Sequence, residues 1–283
     1  MSGVVVDLGS VDEVREMQVR RRLDDTATGL SLEAAQRQTV WVARDDATIV
    51  GIVVARDTSD ERYIGDWYVE PSFRGGGVGS ALLRAAMNGR DDLAFAAMAD
   101  SADPSALALL SRSGIASREP VLRVAGEIPK EEVLAKMAAG DYRFNVEPID
   151  LATHGYALDE LDRSARGTTR ADDHAGFAIA ATGNVFYLGG ECVGYAYVWP
   201  DGRVGPAACA SEAYLVQIFA YAVVTLQRAY RASWCTALIP GSDRRIARAA
   251  LRAGLRITGT LLFNSEAELA KFSNYIGYHE LLF

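Results

Sequence analysis

A run of glycines between a strand pattern and a helix pattern is the part of this sequence with the most chemical content. Residues 67–83 read WYVEPSFRGGGVGSALL, so that Pro71 ends an apolar strand and four glycines fall within five positions. Glycine lets the backbone approach a ligand closely and adopt a positive φ. Because the loop leads into a helix N-terminus, free amides and the positive end of the helix dipole would meet at one point. With the fixed charge of Arg74 beside them, these groups predict a cradle for a pyrophosphate.

Two common phosphate loops do not fit these residues. A P-loop requires Lys and then Ser or Thr after its last glycine, whereas Gly79 is followed by Ser-Ala. A Rossmann fingerprint follows the first strand of its unit, whereas at least three strand patterns precede this loop. The arrangement instead resembles the motif of the GCN5-related N-acetyltransferase (GNAT) superfamily, a strand followed by V-x-P-x-x-R/Q-x-x-G-x-G/A and a helix. The matching residues are Val69, Pro71, Arg74, Gly77 and Gly79.

The resemblance implies an acetyl-CoA site in the first half of the chain. The backbone amides of residues 75–80 would hold the pyrophosphate, and the pantetheine arm would lie where the strand ending at Val69 splays from its neighbour at 93–100. The Val69 amide would then point at the thioester carbonyl as an oxyanion donor. The residues predicted to bind the cofactor are Val69, Arg74, Gly75, Gly76, Gly77, Val78, Gly79, Ser80 and Asp103.

Acetylation of an amine also needs a base, and members of the family often use an acidic residue on the strand before the loop. Asp66 and Glu70 are the candidates, and a solvated strand position is the alternative for each. Strict alternation of side chains would place these two on one face and Tyr63, Trp67 and Val69 on the other. The predicted catalytic residues are therefore the two carboxylates and the Val69 amide.

The helix after the next strand departs from the family pattern. The family carries a Tyr there as the usual acid for the departing thiolate, and Leu110 occupies that position. Another group or water would have to supply the proton, or the chain would bind acyl-CoA without efficient turnover. Asp103 stands where the family has Asn, and it is either the N-cap of this helix or a contact to the cofactor.

Strand and helix patterns place the loop within a larger α/β unit. Strands are predicted at 3–8, in a hairpin within 38–57, and at 61–71, 93–100 and 120–127, with helices after Ser10, Ser31, the glycine loop and Asp103. The second half repeats this order, and an offset of 140 aligns Gly65 with Gly205, Asp103 with Asp243 and Gly114 with Gly254. The spacing indicates an internal duplication. Two unrelated units with ordinary helix caps are the alternative.

The predicted fold class is α/β (α+β), with two tandem GNAT-like domains, each a mixed, mostly antiparallel sheet flanked by helices. Residues 1–128 would form the domain with the intact loop, 129–141 a linker helix, and 142–283 a degenerate domain. Residues 209–219 read CASEAYLVQIF, without Gly or Arg, so this half is predicted to lack the cofactor site. The polar segment 167–176, which contains His174, is predicted to be a loop and not a metal site.

Composition narrows the possible partners. The chain has 283 residues and a formal net charge of −8, and no Lys/Arg-rich block suggests a nucleic-acid footprint. Its three cysteines have no metal spacing, and the acidic N-terminus does not resemble a signal peptide. The longest apolar run, 213–224, is too short to span a membrane. The expectation is a cytoplasmic protein without a metal, a nucleic-acid partner or a membrane anchor.

The favoured function is an N-acetyltransferase that moves an acetyl group from acetyl-CoA to a primary amine of a small molecule by direct attack. An acidic protein attracts a cationic substrate such as an amine. The alternative is an acyl-CoA-binding sensor or regulatory protein with little or no turnover. A purely structural interaction protein would require a glycine loop that binds nothing.

Overall fold

The computed structural model describes residues 3–21, 38–266 and 272–279. The first half contains β1 (Val5–Gly9), α1 (Val11–Arg21), β2 (Gln38–Asp45), β3 (Thr48–Asp57), β4 (Glu61–Val69), α2 (Val78–Met87), β5 (Ala94–Asp100), α3 (Pro104–Arg112) and β6 (Ala116–Glu127). The strands and helices predicted for this half are confirmed, apart from the helix after Ser31, which lies outside the described residues.

Helix α4 (Glu131–Ala138) connects the first half to the second half. The second half contains β7 (Asn145–Pro148), α5 (Leu151–Arg166), α6 (Ala171–Ala180), β8 (Thr182–Leu188), β9 (Glu191–Val198), β10 (Arg203–Cys209), α7 (Leu215–Tyr230), β11 (Trp234–Pro240), α8 (Arg244–Arg252), β12 (Arg256–Ser265) and β13 (Tyr275–Ile276). The predicted order from β8 to β12 is confirmed. The loop predicted over 167–176 is wrong from residue 171 onward, because α6 begins there and presents buried side chains to the core.

The strands of the described residues form one continuous sheet with an exchange of strands at its centre. Their order is β1-β2-β3-β4-β5-β12-β6-β11-β10-β9-β8-β7, with β13 beside β10. β12 pairs antiparallel with β5 from Leu261↔Asp100 to Ser265↔Ala96. β6 pairs antiparallel with β11 from Val121↔Pro240 to Glu127↔Trp234. Each half therefore completes the sheet of the other half by hydrogen bonds. The domain boundaries at 128 and 142 stay a prediction, since the sheet runs across both halves.

Both faces of the first-half sheet are covered, because side chains alternate between them. On one face, α2 and α3 lie over a core that includes Val53 and Leu82. On the other face, α1 contributes Val14 to a second core. The adjoining part of that face is covered by helices of the second half, where Phe177 of α6 shares a core with Tyr63 of β4. The second half thus packs directly on the strand that precedes the glycine loop.

Two helices that start 140 residues apart are capped in the same way. Asp103 Oδ1 accepts hydrogen bonds from the backbone N–H groups of Ser105 and Ala106, both at 3.0 Å. Asp243 Oδ1 accepts one from the backbone N–H of Arg245 at 2.8 Å. Each carboxylate satisfies amides that have no partner within their own helix. The predicted N-cap role of Asp103 is confirmed.

Candidate functional site

The parallel pairing of β4 with β5 stops partway along β4. The paired residues run from Glu61↔Ala94 to Ile64↔Ala97. Among the described residues β4 then continues to Val69 with no further pairing to β5. The predicted splay of these two strands is confirmed. It leaves a gap that is closed at Ile64 and opens toward the glycine loop.

A β-bulge shapes the edge of this gap. Opposite Val53 of β3, β4 has two residues, Asp66 and Trp67, and Asp66 has a φ of 40°. An extra residue shifts the alternation of side chains beyond it. The predicted common face of Tyr63, Trp67 and Val69 is therefore wrong. Tyr63 lies in the core under the second-half helices, whereas the other two pack against the core under α2.

The loop after β4 brings backbone amides to the start of α2. Pro71–Phe73 forms a 3-10 turn, and Gly77 is the N-cap of α2. As a glycine, this N-cap residue has no side chain to bond the first amides of α2. Gly75 and Gly77 have φ of 79° and 86°, and a Cβ at either would meet no atom within 4 Å. The glycines thus provide positive φ and leave open space at a helix N-terminus, as an anion site requires.

Arg74 lies at the mouth of the gap. The Glu70 N–H donates to the Val50 carbonyl oxygen of β3 at 2.9 Å. Because backbone groups of successive strand residues point to opposite edges, the N–H and C=O of Val69 face the gap. Arg74 Nε donates to that Val69 carbonyl oxygen at 2.9 Å, and its guanidinium carbon lies 5.5 Å from the centre of the Tyr68 ring.

The remaining predicted site residues fall into two groups. Gly76, Val78, Gly79 and Ser80 lie in the loop and the first turn of α2. The half-buried Asp66 and Glu70 lie in the bulge and just after β4. The structure therefore brings the loop, the Val69 amide and both carboxylates to the same end of β4. Asp103 caps α3, and Leu110 is 1% exposed in the core under that helix.

In the second half, the chain itself fills the equivalent gap. β10 and β11 pair in parallel at Arg203↔Thr236 and Val204↔Ala237. Beyond this point, β13 pairs antiparallel with β10 at Ala207↔Ile276 and Ala208↔Tyr275. We call residues 272–278 the C-terminal segment.

The C-terminal segment is hydrogen-bonded to both edges of this second gap. The Gly277 N–H donates to the Leu238 carbonyl oxygen of β11 at 2.8 Å. The side-chain amide of Asn274 donates to the Cys209 carbonyl oxygen at the end of β10 at 2.5 Å. Ile276 is 0% exposed. A cofactor arm would have to displace this segment, which supports the prediction that the second half holds no cofactor.

A buried polar cluster lies under α5 and α6 beside β4. Asp162 Oδ2 lies 2.9 Å from His174 Nε2, and Asp162 Oδ1 accepts a hydrogen bond from the Tyr195 hydroxyl at 2.5 Å. Burial alone raises the pKa of Asp162, but the hydrogen bond to His174 and the charge of Arg170 outweigh it and hold that pKa below its ordinary value. The cluster fixes the two helices that cover the first-half strand.

Ion pairs also cross from one half to the other. Arg56 of β3 pairs with Asp173 of α6, and both side chains are less than 10% exposed. Arg166 Nη2 of α5 lies 4.0 Å from Glu61 Oε1 of β4. Burial raises the pKa of Glu61 above its ordinary range, although the charge of Arg166 opposes this. Within the described residues, no group of three or more His, Cys, Asp or Glu side chains could hold a metal ion.

Residues 36–109 match the family model of the acetyltransferase (GNAT) domain, and this match includes the glycine loop. No curated protein sequence matches the chain. In the described residues, no helix combines the length and the apolar character needed to cross a membrane.

Solved structures of similar fold cover nearly the whole chain. A presumed acetyltransferase from Pyrococcus horikoshii is 15% identical with a TM-score of 0.74, over 100% of this chain and 97% of that one. A tandem GNAT protein from the clavulanic acid biosynthesis pathway is 13% identical with a TM-score of 0.64, over 94% and 99% of the chains. A glucosamine N-acetyltransferase region of a fungal multi-domain β-N-acetylglucosaminidase is 15% identical with a TM-score of 0.65, over 94% of this chain and 38% of that one.

The match of residues 36–109 includes the strand, loop and helix that form the gap and the open helix N-terminus beside it. The structural likeness extends over both halves of the chain. Residues 36–109 therefore match the acetyltransferase (GNAT) domain, and the chain as a whole has the fold of tandem GNAT proteins.

Proposed function

We propose that this protein transfers an acetyl group from acetyl-CoA to the primary amine of a small molecule. The observation that carries the proposal is the gap between β4 and β5, which leads from the glycine loop to a closed end at Ile64 and Ala97. An anion cradle that continues into a narrow gap suits a donor with a pyrophosphate at one end and a thioester on a long arm.

The residues at the open end suit the phosphates. The amides of residues 75–80 surround the N-terminus of α2, where the helix dipole favours negative charge. Arg74 adds a fixed positive charge at the same place. Inside the gap, the Val69 N–H faces the space in which the arm and its thioester would lie.

The chemistry follows from the groups along β4. A neutral amine attacks the thioester carbonyl carbon, a C–N bond forms and the C–S bond breaks. The Val69 N–H would donate to the oxygen on which negative charge develops. Asp66 and Glu70, at the same end of β4, are the proposed bases that take the proton from the attacking nitrogen.

Two observations support a small cationic acceptor. The formal net charge of −8 favours the approach of a cation. The related folds include a tandem GNAT protein from the clavulanic acid biosynthesis pathway and a glucosamine N-acetyltransferase region, and glucosamine is a small amine. We therefore propose a small-molecule amine as the acceptor and the cytoplasm as the place of the reaction.

Calorimetric titration with acetyl-CoA tests the donor site. We expect one site per chain. The Arg74→Ala variant removes a charge-assisted contact of about 1.5 to 3 kcal/mol, so binding should weaken by roughly 10- to 100-fold. Adding Gly77→Trp should abolish binding. The matched control is the double variant Arg84→Ala/Gly254→Trp. Arg84 is exposed at the other end of α2, and Gly254 lies in the second half with a positive φ and open space around it.

A panel of small amines then tests the reaction by release of the free thiol from acetyl-CoA. Amine-dependent release by the wild type and its loss in the Arg74→Ala/Gly77→Trp variant are expected. Binding without release for any amine would favour the acyl-CoA-binding sensor. No binding at all would refute both functions and leave a GNAT-like scaffold.

A further inference from the structure

Helix α8 and the start of β12 carry a concentrated positive charge. Five arginines lie between residues 244 and 256, and no Asp or Glu occurs from 244 to 265. The whole chain has 29 basic and 37 acidic residues, so without these five arginines 24 basic and 37 acidic residues remain, a formal charge of −13. The charge of this protein is therefore strongly segregated, with a basic helix on an acidic molecule.

Three of these arginines form a row along the solvent side of α8. Arg244, Arg248 and Arg252 are four residues apart, so they follow one another at intervals of roughly 6 Å along the helix axis and turn only about 80° around it. All three are exposed, whereas Ile246 and Ala250 on the opposite side are buried against the sheet. We call Arg244, Arg248 and Arg252 the arginine row.

The arginine row has no acidic partner in the part of the chain that the structure describes. The neighbouring Arg245 is the paired arginine of this helix. Its Nη2 lies 2.8 Å from Glu212 Oε1, and its Nε lies 3.2 Å from Asp243 Oδ1. Like charges four residues apart repel each other on a helix. The row therefore does nothing for the stability of α8 itself.

The first half contains the equivalent helix without the arginine row. α3 begins 140 residues before α8, and the exposed positions of the two helices coincide: 104, 105, 108, 111 and 112 in α3, and 244, 245, 248, 251 and 252 in α8. At the first two positions of the row, α3 has Pro104 and Ala108, and only Arg252 has an arginine as its counterpart. Both helices are capped by an aspartate and pack on the same continuous sheet. The fold therefore does not require the row.

We propose that the arginine row binds an acidic helix of a partner protein. Carboxylates at positions i, i+4 and i+8 of a helix repeat at the same interval of roughly 6 Å, so such a helix can lie along α8 with opposite charges facing each other. Leu251 lies beside the row and Ile257 follows on β12, and each is 46% exposed. These two side chains supply apolar contacts of the kind found at the centre of protein interfaces.

A protein helix suits the arginine row better than a nucleic acid or a membrane. The row is only about 12 Å long. A polynucleotide or an anionic bilayer presents negative charge far beyond that length, and it would meet the charge of −13 on the rest of the molecule. α8 also cannot enter a bilayer, because Ile246 and Ala250 of its apolar face are packed on the sheet.

The test is direct binding of a fluorescent helical peptide that carries Glu at i, i+4 and i+8 with Leu beside them. The control peptide has the same composition, with its glutamates distributed around the helix. We expect the first peptide to bind more tightly than the control, and its affinity should fall as the salt concentration rises. Binding is measured without acetyl-CoA, so the result does not depend on the proposed acetyl transfer.

The Arg248→Ala/Arg252→Ala variant identifies the surface that binds the peptide. Alanine preserves the helix, and α3 has alanine at the position of Arg248. An exposed ion pair changes affinity by up to about fivefold, so the double variant should bind the peptide roughly 5- to 25-fold more weakly. The matched control is Arg84→Ala/Arg143→Ala, which removes the same charge from exposed arginines of α2 and of the segment before β7. It should bind as the wild type does.

Several outcomes would overturn the proposal. Absence of peptide binding, equal affinity for the two peptides, or an equal loss in the two double variants would show that the arginine row does not recognise an acidic helix. Tighter binding of the row to single-stranded DNA, or to vesicles of phosphatidylcholine and phosphatidylserine, would assign it to that ligand instead. A dimer of the wild type that is lost in Arg248→Ala/Arg252→Ala, as measured by sedimentation, would assign it to contact between copies of this chain.

Discussion

Truncation of Ile276 provides a direct measure of how the C-terminal segment holds the second half. Ile276 lies on β13 between the two strands of the second gap, is 0% exposed and belongs to the main core under α7. Removing its buried methyl and methylene groups leaves a cavity, so Ile276→Ala should cost about 2 to 5 kcal/mol. Ile257→Ala is the matched control, because Ile257 on β12 is 46% exposed and should cost under about 1 kcal/mol.

Urea unfolding followed by circular dichroism is the appropriate assay. Because the halves share one sheet, we expect one cooperative transition whose midpoint falls in Ile276→Ala and stays near the wild-type value in Ile257→Ala. Acetyl-CoA stoichiometry should remain one in both variants. Equal effects of the two substitutions would refute the reasoning, since they would mean that residues 272–278 do not occupy the second gap.

Two further predictions concern titratable groups. Burial raises the pKa of Cys209 beyond the usual range of thiols and raises that of Cys235 to about 12. In the native protein, only the half-buried Cys192 should therefore react quickly with a thiol reagent. All three cysteines should react after unfolding. Burial and the nearby charge of Arg203 lower the pKa of His279 to about 3. The imidazole therefore stays neutral in the folded state, whereas in the unfolded state it gains a proton below about pH 6.5. Stability should therefore fall by about 2 kcal/mol between pH 7 and pH 5, and His279→Asn should lose less over that range, as measured by urea unfolding at both pH values.

The glycine loop could be predicted because its signal is local. Pro71, the arginine and the glycines are adjacent in sequence, and each restricts the backbone or supplies a charge by itself. The same holds for the helix caps at Asp103 and Asp243, whose carboxylates bond amides only two or three residues away. Such features depend little on the rest of the fold.

The bulge in β4 could not be predicted from alternation alone. One extra residue at Asp66 shifts the following side chains and separates Tyr63 from Trp67. Gly65 stands next to the bulge and is its local signal, but a glycine alone does not say which side chains change face. The buried cluster around Asp162 was also missed, because His174 and Tyr195 reach it from separate elements. The alternation of Tyr195 and Tyr197 along β9 was the available signal for this cluster. It indicates a buried face of the strand, but it does not say that Asp162 and His174 lie against that face.

The filled second gap and the strand exchange could not be predicted from the sequence at all. Nothing local to Tyr275–Ile276 distinguishes a strand that enters a gap from one that extends an edge. The pairing of β12 with β5 likewise depends on which of several apolar strands reaches a free edge first. Contacts between such distant residues are decided by the geometry of the whole sheet, which single-chain patterns do not encode.

The insertion of β12 between β5 and β6 has a consequence for biosynthesis. The residues that pair with β5 follow it by about 160 positions, so at roughly 5 to 20 residues per second the ribosome needs about 8 to 30 s to deliver them. During that time β5 has been synthesised but its neighbour β12 has not. An unpaired apolar strand edge can pair with strands of other chains. The nascent first half is thus the stage at which this protein is most exposed to aggregation. A chaperone that acts at that stage should therefore increase the yield of folded protein more than a substitution that stabilises the finished fold.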